Sequence, residues 1–165
     1  MKNRIYQLLV DNSSGVLSRI AGLFSRRGYN IDSLTVGVTA DPRYSRMTIV
    51  SSVDDLTLDQ LGKQLEKLVD VRDLKVLREN ESVTRELMLI KVKTSQENRQ
   101  NLINIVNIFR AKIVDVGFNS LIIELIGSQS KLSAFLELLE GYEILELART
   151  GLTGLSRGMD DVTYL

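Results

Sequence analysis

The chain has 165 residues, 44% of them hydrophobic and 25% charged, with 21 Lys and Arg set against 21 Asp and Glu. That length holds one ordinary domain or two small ones, and the balanced charge argues against a binder of nucleic acid held by phosphate contacts. Cysteine and histidine are both absent, which excludes disulfides, thiolate nucleophiles, imidazole bases and zinc sites built on Cys or His.

Arg4 to Val10 is apolar on alternate positions of both faces and reads as a central or interface strand. Asp11-Asn12-Ser13-Ser14-Gly15 follows, and Val16, Leu17, Ile20, Leu23 and Phe24 then recur at helical spacing. A strand, a glycine turn and a helix start are the parts of an anion cradle, because the first turn of a helix has backbone N–H groups without intrahelical partners and a partial positive charge. Gly15 lacks a Cβ and admits close approach, Asn12 offers an amide, and Val16 and Leu17 add aliphatic surface. Together they suit a small zwitterion with an aliphatic side chain, such as valine. The same residues also read as an ordinary helix start, with Ser13 or Ser14 as the cap and Gly15 as the turn.

Arg26-Arg27-Gly28 carries helix-stop signals. A second strand is expected from Tyr29-Asn30-Ile31 to Val38, a turn at Ala40 to Arg43, and a third strand from Ser45 to Val53. Thr57-Leu58-Asp59-Gln60 has the form of a capping box ahead of Leu61, Leu65 and Leu68, and Val69 to Leu77 makes a fourth strand. The order β-α-β-β-α-β predicts a four-stranded antiparallel sheet with two helices on one face.

Arg78 to Thr84 is polar and reads as a linker. The same order then returns: a strand at Leu87 to Val92, a helix at Gln96 to Phe109, strands at Ile113 to Val116 and Leu121 to Ile126, a helix carrying Leu132, Phe135, Leu136 and Leu139, and a strand at Glu143 to Thr150. The chain is thus read as an α+β protein of two tandem ferredoxin-like βαββαβ domains, residues 5–79 and 80–165, at a period of roughly eighty residues. The turn after the first strand of the second copy, Lys93-Thr94-Ser95-Gln96-Glu97, has no glycine, so the cradle is expected only in the first. The glycine-rich tail from Gly151 to Gly158 reads as a frayed terminus or as a segment docking on another chain, since Leu152 and Leu155 are out of place on a free tail.

Asp54-Asp55 and Asp160-Asp161 are the adjacent acidic pairs. Neighbours in sequence point to different sides of an element, so neither makes an acid–base dyad, and Asp54-Asp55 suits a helix start. An RNA-binding module shares the strand order but needs aromatics on its two central strands, where only Tyr6 is available. No run approaches membrane-span length, and the start leads straight into a strand, so a cytoplasmic location is expected.

At family level, Asp11-Asn12-Ser13-Ser14-Gly15-Val16-Leu17-Ser18-Arg19 resembles the effector-binding turn of an ACT domain. Leu23 to Val36, Ser45 to Ile49 and Gln64 to Val71 resemble the small regulatory subunits of acetolactate synthase, as do Ala148-Arg149-Thr150-Gly151 and Gly154-Leu155-Ser156-Arg157-Gly158. The pattern is weakest at Gly117-Phe118-Asn119 and Asp160 to Leu165. The resemblance implies a non-catalytic subunit with an N-terminal ACT domain for effector binding and dimerisation. Its C-terminal domain would activate a large catalytic subunit. That large subunit would hold thiamine diphosphate, Mg²⁺ and FAD, and this chain would hold no cofactor. The effector implied is a branched-chain amino acid, valine or else isoleucine or leucine, bound at a homodimer interface. Asn12, Ser13, Ser14, Gly15, Val16 and Leu17 of one protomer would face Asn30 and Ile31 of the other. An ACT module serving another partner is the alternative.

Overall fold

The computed structural model describes residues 2–159. They form two compact units, one built from the chain up to residue 84 together with the segment from Leu152 onward, the other from residues 85–151. The expected division at residue 80 is therefore corrected at the tail. The segment after Leu152 was expected in the second domain, yet it returns to the first.

In the first unit, β1 (Lys2–Asp11), α1 (Val16–Arg26), β2 (Ser33–Val38), β3 (Tyr44–Val53), α2 (Asp55–Glu66) and β4 (Val71–Leu77) follow in order. The sheet runs β2-β3-β1-β4, each neighbour antiparallel. Tyr6, Leu8 and Val10 of β1 and Met47 and Ile49 of β3 face the helices and form a core with Val16, Ile20 and Phe24 of α1 and Leu61 and Leu65 of α2. Gly28 follows α1 at φ +69°, as the stop signal predicts. The strand expected from Tyr29 begins only at Ser33. The capping residue of α2 is Asp54, whose carboxylate accepts the Thr57 N–H at 2.9 Å, so this helix starts ahead of the expected capping box. The Thr57 hydroxyl, then its N–H, hold the Asp54 carboxyl below its ordinary pKa. Asp160 and Asp161 lie outside the described residues.

The polar stretch after β4 is shorter than expected, because β5 (Ser82–Lys93) begins at Ser82. The second unit adds α3 (Arg99–Ile108), β6 (Lys112–Val116), β7 (Ser120–Gly127), α4 (Gln129–Leu138) and β8 (Ile144–Arg149), with strand order β6-β7-β5-β8. Met88, Ile90 and Val92 of β5 and Leu121, Ile123 and Leu125 of β7 pack against Leu102, Val106, Leu132 and Phe135. Two copies of one ferredoxin-like topology therefore occupy the chain, as the repeated element order predicts. No helix among the described residues is long and apolar enough to cross a membrane.

The tail forms a short strand, β9 (Thr153–Ser156), which pairs with β5. It crosses the helix-free face of the first sheet. Thr35 and Gln7 both lie opposite Thr48 in the ladders, hence on the face away from Tyr6 and Leu8. Thr35 Oγ1 donates to the Leu152 carbonyl at 2.9 Å, and Gln7 Nε2 donates to the Gly154 carbonyl. Leu152 is buried there, while Leu155 stays exposed. Residues 152–157 are thus not frayed; they dock on the first sheet of their own chain.

Phe135 is fully buried and meets Phe109 edge to face, centroids 5.2 Å apart. Phe135→Ala is expected to destabilise by about 3–5 kcal/mol, read from the midpoint shift of a urea unfolding curve.

Candidate functional site

The turn between β1 and α1 is built by glycine. Gly15 has φ +86° and occupies the N-cap position of α1, with no side-chain cap. Ser13 and Ser14 are exposed and neither caps the helix, so the expected serine cap is replaced by Gly15. A Cβ on Gly15 would lie 2.8 Å from Arg19 Nη1, the mobile end of a long side chain, so it is the left-handed conformation at φ +86° that calls for glycine. The Gly15 carbonyl accepts the Arg19 N–H at 2.9 Å.

Asn12 holds the turn to the β2–β3 hairpin: its N–H donates to the Arg43 carbonyl at 2.7 Å and its Nδ2 to the Pro42 carbonyl at 2.8 Å. Val16 is buried in the core, so its side chain faces away from the turn surface, whereas Leu17 is 47% exposed. Asn30 and Ile31 lie just ahead of β2. The Asn30 carbonyl accepts the Ser51 hydroxyl at 2.7 Å, and its Nδ2 donates to Asp32 Oδ1 at 2.7 Å. Ile31 packs against the core. Among the described residues no hydrogen bond or ion pair joins Asn30 or Ile31 to the Gly15 turn of the same chain.

An ion-pair cluster that the sequence reading missed braces this turn. Arg19 Nε and Nη2 fork onto Asp70 at 2.6 and 3.0 Å, and Arg72 Nε and Nη2 onto Asp11 at 2.7 and 2.6 Å. The register of β1 against β4 shifts between Leu9 and Val10, so Arg72 is the extra residue of a bulge. The bulge is what aims its guanidinium at Asp11. The fork from Arg19 is the main cause holding the Asp70 carboxyl below its ordinary pKa, and the fork from Arg72 does the same for Asp11. The signal lay in the alternation of Asp70, Arg72 and Asp73, which has meaning only once the bulge is known.

The second unit repeats the frame and fills it differently. Lys93 N–H donates to the Glu143 carbonyl and Thr94 N–H to the Asn119 carbonyl, as Asp11 and Asn12 do to Asp70 and Arg43. Arg99 Nη2 then donates to the carbonyls of Gly117 and Phe118 at 2.9 and 2.5 Å. In the second unit an arginine near the helix start thus ties down the hairpin, where the first unit has a glycine cap.

Residues 6–73 match the family model of the AHAS small subunit-like ACT domain, and residues 85–158 that of the small subunit of acetolactate synthase. The chain is 50% identical over 151 residues to the acetolactate synthase small subunit of Mycolicibacterium smegmatis, covering 92% of this chain and 89% of that one. It is 47% identical over 156 residues to the acetolactate synthase isozyme 3 small subunit of Escherichia coli, covering 94% and 96%. The crystal structure of the acetolactate synthase small subunit from Thermotoga maritima superposes with a TM-score of 0.88 at 40% identity, covering 96% of this chain and 99% of that one.

Because Asp70 and Asp11 titrate low when folded, their contribution to stability is fully present above the unfolded-state pKa and is lost as pH falls through the folded one. Asp70→Asn is expected to flatten the acid limb of a stability-versus-pH curve, measured by urea unfolding between neutral pH and the carboxylate range; an unchanged limb would show that the fork adds nothing there.

Proposed function

Since the chain belongs to the family of acetolactate synthase small subunits, we propose that it acts as the regulatory, non-catalytic subunit. In this reading it raises the activity of a large subunit that holds thiamine diphosphate, Mg²⁺ and FAD and condenses pyruvate to 2-acetolactate. It also confers feedback inhibition by valine or a related branched-chain amino acid, in the cytoplasm. The first unit binds the effector and dimerises; the second offers its surface to the large subunit. The helix-free face of the second sheet carries Leu89, Ile122 and Ile126, beside the ion pair of Lys91 with Glu146.

The observation that carries the dimer reading is the edge strand β2. Its six residues pair with β3 in unbroken register, none is charged, and Val36 and Val38 are 47% and 60% exposed. An edge of this kind invites pairing with a second copy. The corresponding edge of the second unit, β6, is blunted by a bulge between Ile113 and Asp115 and by Lys112 and Asp115. A dimer through β2 would bring a second chain beside the segment that contains Asn30 and Ile31. Asn12, Ser13, Ser14, Gly15, Val16 and Leu17 of one protomer then face Asn30 and Ile31 of its partner, Val16 through its backbone alone. An effector held by both chains shifts the assembly toward the state that presents both halves, with a coupling of about 1–3 kcal/mol.

The RNA-binding reading loses its support in the same unit. Tyr6 is fully buried on the helix side, and on the outer face of β1 and β3 Gln7, Leu9, Thr48 and Val50 are all buried, with the tail bonded to Gln7.

Gly15→Asp forces a side chain onto a backbone at φ +86°, which L residues rarely adopt, and sets a carboxylate against that of the effector. The reconstituted enzyme is expected to lose valine inhibition while the mutant chain still activates the large subunit. Wild-type inhibition by valine in that mutant would refute the assignment of the turn.

A further inference from the structure

The tail grips one strand in particular. Leu152 is held through both of its backbone groups by side chains of β2: its N–H donates to Ser33 Oγ at 2.9 Å, and its carbonyl accepts from Thr35 Oγ1 at 2.9 Å. Further along, Gly154 receives Gln7 Nε2 of β1, and the Arg157 N–H donates to the Glu81 carbonyl at 2.7 Å. Gly154 is closely enclosed: a Cβ there would lie 2.8 Å from Thr84 Cγ2, 2.9 Å from Leu77 Cδ1 and 3.0 Å from the Val83 carbonyl.

Within its own chain β2 has one ladder neighbour, β3, along one edge. It is also the strand into which Asn30 and Ile31 lead, with the Asp32 N–H donating to the Val50 carbonyl at 2.8 Å. The tail supplies the second set of bonds, on the outer face. Ser33 and Thr35 are two apart and project to that one face. Any state of the chain in which the tail lifts leaves a buried backbone N–H and carbonyl of Leu152 and the amide of Gln7 to find new partners.

We propose that residues 152–157 form a strap whose attachment positions β2, and with it the effector half-site Asn30 and Ile31, so that strap docking and effector binding are thermodynamically linked. Thr35 and Leu152 are positioning residues in this scheme and touch no ligand. Linkage is reciprocal: if the docked strap favours the effector, the effector holds the strap down by the same factor. The inference rests on the effector reading given above, and the experiment separates the two.

The test uses the full chain with L-valine as the probe, alone and in the complex with the large subunit. Amide hydrogen exchange is followed at Leu152, Arg157 and Ser33 to Val38, and valine affinity is measured by calorimetry. In the wild-type chain, valine is expected to slow exchange at Leu152 and Arg157. Thr35→Val, which keeps the shape and removes the donor, should speed exchange there and weaken valine binding by roughly 5- to 150-fold, the range of ordinary allosteric couplings. Thr35→Ser, which restores the hydroxyl, should recover most of the loss. A generally destabilised fold would not discriminate in this way. Exchange at Leu152 and Arg157 that ignores valine, or wild-type affinity in Thr35→Val, overturns the linkage. If the wild-type chain binds no valine in either form, the effector reading fails. The strap is then judged on Gly154→Val alone: faster exchange across Ser33 to Val38 supports it, and wild-type rates there with a released tail refute it.

Discussion

A central strand with apolar or buried side chains on both faces has to be covered twice, and β1 imposes that demand on the first unit. Tyr6, Leu8 and Val10 are met by α1 and α2; Gln7 and Leu9 are no less buried on the opposite side. Two amphipathic helices can shield only one face of such a sheet. The other face carries polar groups, Gln7, Thr48, Ser33 and Thr35, whose burial is tolerable only where hydrogen-bond partners reach them. An extended segment with free backbone groups is suited to that role. The tail supplies it, offering carbonyls to Gln7 and Thr35 and an N–H to Ser33.

The internal repeat shows how one duplicated frame can be furnished in two ways. Both copies fasten the final residue of the first strand to the residue just ahead of the last strand and the next residue to the hairpin, and both insert a bulge in the last strand. In the first, the bulge residue Arg72 forks onto Asp11, Arg19 onto Asp70, and Gly15 leaves backbone accessible at the helix start. In the second, Leu145 stands at the bulge, Lys93 pairs with Glu143 at 2.7 Å, and Arg99 ties down the hairpin carbonyls. The frame is the same, and side-chain identity at a few positions decides which bonds brace it.

Element order and the two cores were legible because their periodicities are strong: Ile20 with Phe24 and Leu61 with Leu65 at helical spacing, and the alternation of β5 between Met88, Ile90 and Val92 and their neighbours. Gly15 and Gly28 were legible because their positions need positive φ, which few other residues supply. What escaped was everything that depends on distant residues meeting. Ser13 and Ser14 look like caps, but a left-handed Gly15 ends the turn before either can serve. Val16 looks available to a ligand until the helix phase turns it into the core. Tail residues 151–158 have neither helical nor strand periodicity, and their fit depends on Leu77, Val83 and Thr84 leaving room for Gly154 alone. The one local hint was Leu152, an apolar residue where a solvated end would not carry one.

The return of the tail to the first unit bears on how the chain is made. Gln7 and Gly154 are 147 residues apart, and chains grow at about 5–20 residues per second, folding from the N-terminus as they emerge. The sheet of the first unit can assemble early, but its outer face stays bare for roughly 7–30 s of further synthesis. During that interval Leu9, Val50 and the edge of β2 face solvent together. The nascent subunit therefore passes through a stage at which it is most exposed to chaperones and to premature association, and that stage closes only once residues 152–157 have emerged.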